Sequence, residues 1–270
     1  MEKVAMIIPM YNKVHCVAQT LQSVLDKIQY DNFECIIVDD ESTDGSSDIA
    51  IQFAREYPDR FRYVRVLNGG VSRARNFGVQ CTDAEYVCFL DADDEVYSDY
   101  VTRGVEAYDM YNIDLYVENA KISYPDNDEL VDFFNKTEPK EIIMSGVQMI
   151  IKDIYTCFAG GLYKRDMVKK YGFLDNIHCE DYVFLNRYEL YSKHVYINFN
   201  EYAMLYHIEY SERNKTNGLN GENEWLEYTI NILNDITDNQ FPFVINYYTD
   251  ENGISRWSCD EKTPYTSYLF

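Results

Sequence analysis

The strongest constraint on how this chain can fold is a repeated change of period near its amino terminus. Val4-Ala5-Met6-Ile7-Ile8-Pro9 and Cys35-Ile36-Ile37-Val38 are short apolar runs rich in β-branched residues, each followed by polar residues, the pattern of buried strands. Between them Val17, Leu21, Val24, Leu25 and Ile28 recur at the spacing of an amphipathic helix over 14–28. The alternation continues with a helix over 46–57, a strand over 61–67, a helix over 72–80 and a strand over 86–90. Strands apolar on both faces that alternate with helices predict an α/β fold, a mostly parallel central sheet flanked by helices.

In such sheets ligands bind beyond the carboxyl ends of the strands. The residues there are Tyr11-Asn12, Asp39-Asp40 and Asp91-Ala92-Asp93-Asp94, which should converge on one crevice. After residue 120 the periodicity weakens. The sequence then suggests a polar excursion over 123–138, helices over 145–151, 165–171 and 181–191, a turn at Gly160-Gly161, a strand over 196–198 and a loop or hinge over 214–224. This divides the chain into a first half, 1–120, a second half of the same domain, 121–215, and a helical and irregular extension, 216–270.

The run Tyr86-Val87-Cys88-Phe89-Leu90 stops at Asp91, Asp93, Asp94 and Glu95. In an extended segment Asp91 and Asp93 point the same way, and two such carboxylates repel unless a cation sits near them. Mg²⁺ or Mn²⁺ would resolve the conflict and keep positions open for substrate phosphates. Calcium loops are excluded: one beginning at Asp91 has Val96 where glycine is needed, and one beginning at Asp40 has Ile51 where a bidentate Glu is needed. The plainer account is that these acids cap the following helices, and that Asp94 and Glu95 serve the next helix start. Capping does not require two acidic clusters in one crevice, however, which favours a site.

Composition narrows the partners. With 24 Lys+Arg against 46 Asp+Glu the formal net charge is -22, so nucleic acid is not an electrostatic partner, and no basic amphipathic helix argues for direct membrane binding. A phosphate would need a local positive device. Seven cysteines, none in a C-x-x-C pair, read as reduced core residues of a cytoplasmic protein. No signal-like leader and no apolar run of spanning length is expected.

Four stretches, "VAMIIPMYNKVHCVAQTLQSVL", "CIIVDDESTDGSSDIA", "NGGVSRARNFGV" and "AEYVCFLDADDEV", resemble the successive signatures of the family 2 glycosyltransferases with the GT-A fold, including the D-x-D motif. The resemblance implies that Pro9 and Tyr11 line the base pocket, with the Tyr11 ring on the nucleobase. It implies that Asp40, or its neighbour Asp39, accepts from the base N3–H, an edge that suits uracil. Asn68 and Arg75 would contact the nucleotide, Arg75 being the local positive charge beside the diphosphate. Asp91 would face the ribose and sugar, Ala92 would border the sugar pocket, and Asp93 would ligate the metal.

"CFAGGLYKRDMVKKYGFLDN" followed by "HCEDYVFLNRYEL" resembles the family's acceptor-side segment, which implies Asp181 as general base. His207 or Arg213 would approach the metal and diphosphate. The implied reaction is inverting, Mn²⁺- or Mg²⁺-dependent transfer of a sugar from a UDP-sugar donor to a hydroxyl of a glycan or lipid-linked glycan acceptor in cell-surface polysaccharide synthesis. The family context adds the inner membrane face and peripheral association, and the short stretch beyond residue 225 suggests that a partner or a homo-oligomer completes the acceptor site. The alternatives are a non-catalytic nucleotide-sugar-binding module, whose expected mark would be loss of these acids, and a nucleotidyltransferase, whose glycine-rich loop "PMYNKVHC" lacks.

Overall fold

The computed structural model describes residues 1–125, 127–133, 141–151, 157–175, 180–208, 243–249 and 255–261. Two units divide the chain, Met1–Tyr210 and Ser211–Phe270. The first holds β1 (Val4–Met10), α1 (Val17–Lys27), β2 (Phe33–Asp39), α2 (Ser46–Glu56), β3 (Phe61–Arg65), α3 (Val71–Gln80) and β4 (Tyr86–Phe89). These are the helices and strands that the alternating periods predict. β1 pairs in parallel with β2 on one side and β4 on the other, and β3 extends the parallel edge from β2. Every residue of β1 is buried, as a strand with neighbours on both edges and helices on both faces must be.

The two faces of β1 feed two cores. Met6 and Ile8 pack with Leu21 and Val24 of α1, whereas Ala5 and Ile7 pack with Ala74 and Val79 of α3. α3 lies so close that a Cβ on Gly78 would collide with the Ile7 side chain, which is why that helical position is glycine.

Beyond β4 the sheet becomes mixed. The remaining elements are β5 (Glu95–Val96), α4 (Tyr100–Met110), β6 (Leu115–Tyr124), β7 (Asn127–Asp132), β8 (Glu141–Met144), α5 (Gly146–Ile151), β9 (Gly161–Lys164), α6 (Arg165–Tyr171), α7 (Glu180–Leu190) and β10 (Val195–His207). β9 runs antiparallel between β4 and β6, β10 is parallel to β6, and β5 is antiparallel to β10. Both expected halves, 1–120 and 121–215, therefore share one sheet.

Three expectations change here. The polar excursion over 123–138 is in part a hairpin: β6 continues to Tyr124 and β7 returns along it, tied by the Lys121–Asp132 ion pair. The strand expected over 196–198 runs from Val195 to His207 because shifts in register after Asn198 let it carry on past polar residues. Gly160-Gly161 ends a 3₁₀ turn and opens β9.

Within the second unit β11 (Phe243–Thr249) and β12 (Ser255–Glu261) form an antiparallel pair where a helix and irregular tail were expected. The rest of that expectation, and the loop over 214–224, lie outside the described residues. Cys35, Cys88 and Cys157 are buried thiols, as expected of core residues, whereas Cys16 and Cys81 are half-buried. Among the described residues no helix is long and apolar enough to cross a membrane.

Candidate nucleotide-sugar site

Parallel pairing of β1, β2 and β4 places the residues that follow them along one edge of the sheet. After β1, Tyr11 presents a half-exposed ring, at 49%, and Asn12 takes a positive φ of 52°, a region that Asn adopts more readily than most residues. Its amide donates to Ser42 Oγ at 3.0 Å, and its Oδ1 accepts from Thr43 N at 2.8 Å, so the loops after β1 and β2 form one rim. Pro9, expected at the base pocket, is instead buried inside β1 opposite Val38. The pyrrolidine does not reach the rim.

Asp39 and Asp40 separate. Asp39, wholly buried, accepts from Ser42 N at 2.8 Å, Ser47 Oγ at 2.5 Å and Tyr63 OH at 2.5 Å, with Arg65 at 3.3 Å. Burial pushes its carboxyl up, but the bonds from Ser47, Tyr63 and Ser42 outweigh that and hold it below the ordinary value. In these contacts it braces the loop after β2. Asp40, 4% exposed, accepts from the amides of Gly69 and Gly70 at 2.8 Å each. Its backbone oxygen takes Asn68 Nδ2 at 3.0 Å. Asp40 thus clamps the turn before α3, where Gly70 needs a φ of 87° that L side chains resist, and its backbone holds Asn68.

The acids after β4 occupy a turn closed by Asp94 N to Asp91 O at 3.0 Å, so the alternation expected of an extended segment does not apply. Asp91 takes Arg75 Nη2 at 2.7 Å, and Asp93 pairs with Lys13. Ala92 is buried, its carbonyl accepting from Thr20 Oγ1 at 2.9 Å. Asp94 and Glu95 do not serve α4, which is capped by Asp99 accepting from Thr102 N. Asp94 accepts from His207 N at 2.9 Å, while Glu95 accepts from Gln19 Nε2 at 2.6 Å and lies 2.7 Å from His207 Nε2. His207 therefore anchors β10 to the acidic turn through Asp94 and Glu95. Arg213 lies outside the described residues.

Arg75 is a buried cation of the site. Expected at the diphosphate, it is 2% exposed and its second contact is Glu180 Oε1 at 2.8 Å. Its guanidinium lies 5.0 Å from the Phe158 ring and 5.2 Å from the Phe173 ring. Burial opposes its charge, but Asp91, Glu180 and Asp181 together carry its pKa above the ordinary range. Arg75 thus joins the end of β4 to the start of α7, where Asp181 sits half-buried with its Oδ1 on Tyr182 N at 2.8 Å. Burial pushes the Asp181 carboxyl up; Arg75 partly opposes this and Glu180 adds to it.

Sequence reasoning missed Lys13 as a partner of Asp93 and the pairing of Arg75 with Glu180. The only sequence signal for Lys13 is its place as the first basic residue beyond β1. Among the described residues no group of three or more His, Cys, Asp or Glu could hold a metal. Asp93 could supply one carboxylate, which fits a hard divalent ion whose other ligands are phosphates and water.

Residues 5–172 match the family model described as glycosyl transferase family 2. The chain belongs to glycosyl transferase family 2. Among its curated relatives, the minor teichoic acid biosynthesis protein GgaB of Bacillus subtilis is 37% identical over 93 residues, 34% of this chain and 10% of that protein. The poly(ribitol-phosphate) beta-glucosyltransferase of Bacillus spizizenii is 33% identical over 103 residues, 37% of this chain and 16% of that protein. The chain thus spans a small fraction of the length of these family 2 relatives. The crystal structure of S. aureus TarS 1-349 in complex with UDP-GlcNAc superposes with a TM-score of 0.65 at 19% identity, over 77% of this chain and 59% of that one, a likeness of fold. The α/β architecture expected for a family 2 member is thereby established.

Proposed function

We propose that the protein transfers a sugar from a UDP-linked donor to a hydroxyl of a cell-surface glycan or polyol-phosphate acceptor, with inversion at the anomeric carbon. The observation that carries this reading is Asp181, a half-buried carboxylate in the first turn of α7, pushed up by burial and joined through Glu180 and Arg75 to Asp91 at the strand end. A general base works best when its pKa is raised toward the working pH. Asp181 takes the proton of the acceptor hydroxyl as that oxygen bonds to the anomeric carbon. The bond from that carbon to the diphosphate oxygen breaks on the opposite face, and the diphosphate leaves with the electron pair.

The remaining residues bind and orient. The exposed Tyr11 ring offers a stacking face to the base, and the Asp40-clamped turn presents Asn68. Lys13 places a positive charge beside Asp93. Asp93 is the residue that would hold Mn²⁺ or Mg²⁺, whose contribution when bound is to neutralise charge on the departing diphosphate. The names of GgaB and of the poly(ribitol-phosphate) beta-glucosyltransferase support an acceptor among cell-surface polymers.

The test is calorimetric titration of UDP into the protein with Mn²⁺ and with EDTA, alongside Asp93→Ala. Metal-dependent UDP binding that the variant loses is the expected result. A folded protein that binds UDP under neither condition sinks the proposal.

A further inference from the structure

Away from the acidic turn, an open cavity of about 460 Å³ lies among α3, α6, α7 and the turn at 172–174. Asn76, Lys169, Lys170, Tyr171, Phe173 and Arg187 are among its lining residues, and none of the described lining residues is acidic. That is unusual in a chain with a net charge of -22. Elsewhere Arg75, Arg103 and Arg165 each face a carboxylate, while the half-buried Arg60 is met by the carbonyls of Ile28 and Tyr30 and lies over the Phe33 ring. Arg187 has only the carbonyl of Gly172, at 3.0 Å from Nη1, and its buried Nε has no partner. A half-buried guanidinium with no carboxylate partner among the described residues, in a wall that also carries Lys169 and Lys170, leaves the cavity with an excess of positive charge.

Its other walls narrow the ligand. Tyr171 stacks face to face on Tyr191, with centroids 4.3 Å apart and planes 3° from parallel, and Val79, Val168 and Phe173 add apolar surface. Aromatic and apolar walls beside three cations suit a phosphate carried on a polyol or sugar. We infer that this cavity is an anion site for a phosphate ester, with Arg187 as its inner anchor and Lys169 and Lys170 at its mouth.

The placement also bears on the reaction. Arg187 lies on the same helix as Asp181, six residues on, or about 9 Å along the axis at the usual rise. Phe173 is shared by the cavity and the Arg75 cluster, and Asn76 fixes it through bonds of 2.8 and 2.9 Å to its backbone. A phosphate ester here comes from one of two sources: a phosphate unit of a polyol-phosphate acceptor, which rests on the function proposed above, or a small phosphorylated molecule, which does not.

The experiment titrates the full chain with glycerol 3-phosphate and, separately, with a short glycerol-phosphate oligomer, using glycerol as the blank and UDP as the control for the donor site. Lys169→Gln/Lys170→Gln and Arg187→Gln are compared with wild type. Each lost charge-assisted bond is worth about tenfold in affinity or more. The expected result is saturable phosphate binding that both variants weaken by about that factor, while UDP binding is unchanged in the lysine variant, whose side chains are exposed. Tighter binding of the oligomer assigns the site to the polymer. Binding of glycerol 3-phosphate alone assigns it to a small molecule, and either supports the anion site. No saturable phosphate binding by wild type, or binding that both variants retain in full, overturns it. UDP binding is read separately, so failure of the donor-site proposal is distinguishable.

Discussion

Replacing Arg75 by Met tests the central geometric claim, that a buried guanidinium holds two segments of the site together. The side chain is 2% exposed, whereas Asp91 and Glu180 are 36% and 20% exposed. Removing one partner of a buried pair costs roughly 3–5 kcal/mol, mostly through the charges left behind. Partial hydration of both carboxylates places this case near the lower end. Loss of the cation from the Phe158 and Phe173 rings, at 5.0 and 5.2 Å, adds about 1 kcal/mol. Met fills the space as a flexible apolar chain, so the net expectation is a loss of about 3–4 kcal/mol. For a unit of this size that is a fall in Tm of roughly 10 °C. Arg75→Lys keeps the charge but one ammonium cannot span both acids, and about half that loss is expected.

Urea unfolding followed by far-UV circular dichroism measures the first quantity. The control is Arg75→Met/Glu180→Gln, which should recover stability because it removes one of the stranded charges. Since Arg75 also lowers the Asp181 pKa against the effect of burial, the acid limb of the activity profile should move to higher pH in Arg75→Met. A loss below about 1 kcal/mol, or a double variant no more stable than the single, would refute the bridging role.

Asp181→Asn should lower kcat by about 10²–10⁴-fold while leaving UDP binding intact. It should also stabilise the fold at neutral pH, because a carboxyl whose folded pKa is raised penalises the native state above that pKa. The gain should fade as pH falls toward the ordinary carboxylate range, which a pH series of urea melts would detect. Asp39 has the opposite sign: its folded pKa is depressed, so its contribution is present above the ordinary value and disappears as pH falls through the folded one. Asp39→Asn should accordingly flatten the acid side of the stability curve. Gly78→Ala should cost about 1–3 kcal/mol in urea melts, since its Cβ meets Ile7 in a packed core; an unchanged midpoint would mean that α3 does not sit this close to β1.

The first four strands are legible in the sequence because their physics is local: β1, β2 and β4 are apolar on both faces, and the helices between the strands keep their period. β6 and the part of β10 beyond Asn198 are not, because they carry buried polar residues that tertiary partners satisfy. Glu118, wholly buried in β6, accepts from Arg103 Nε and Tyr116 OH, each at 2.6 Å. Asn198 interrupts the apolar run of β10 and accepts from the amides of Asn200 and Glu201, the device that lets the strand continue past a shift in register. The site divides in the same way. Which residues follow the strand ends is written in the strand pattern, but who neutralises whom is not, since Arg75 meets Glu180 across 105 positions.

That division alters the reasoning about the acidic turn. Repulsion between Asp91 and Asp93 suggested that a metal must resolve it, yet each acid of the turn already has a partner: Arg75 for Asp91, Lys13 for Asp93, the His207 amide for Asp94 and Gln19 for Glu95. The free protein therefore has little electrostatic need of a divalent ion. If Asp93 holds the proposed ion, with the Lys13 ammonium beside it, that ion would gain most of its ligands and its counter-charge only when a diphosphate arrives. Metal and UDP binding should be strongly coupled, and coupling is reciprocal. Titration of Mn²⁺ should give feeble binding to the free protein and at least tenfold tighter binding when UDP is present, a coupling of about 1.4 kcal/mol or more. Equal Mn²⁺ affinity with and without UDP would mean that the acidic turn holds the ion by itself, and that the ion pairs with Arg75 and Lys13 do not satisfy it.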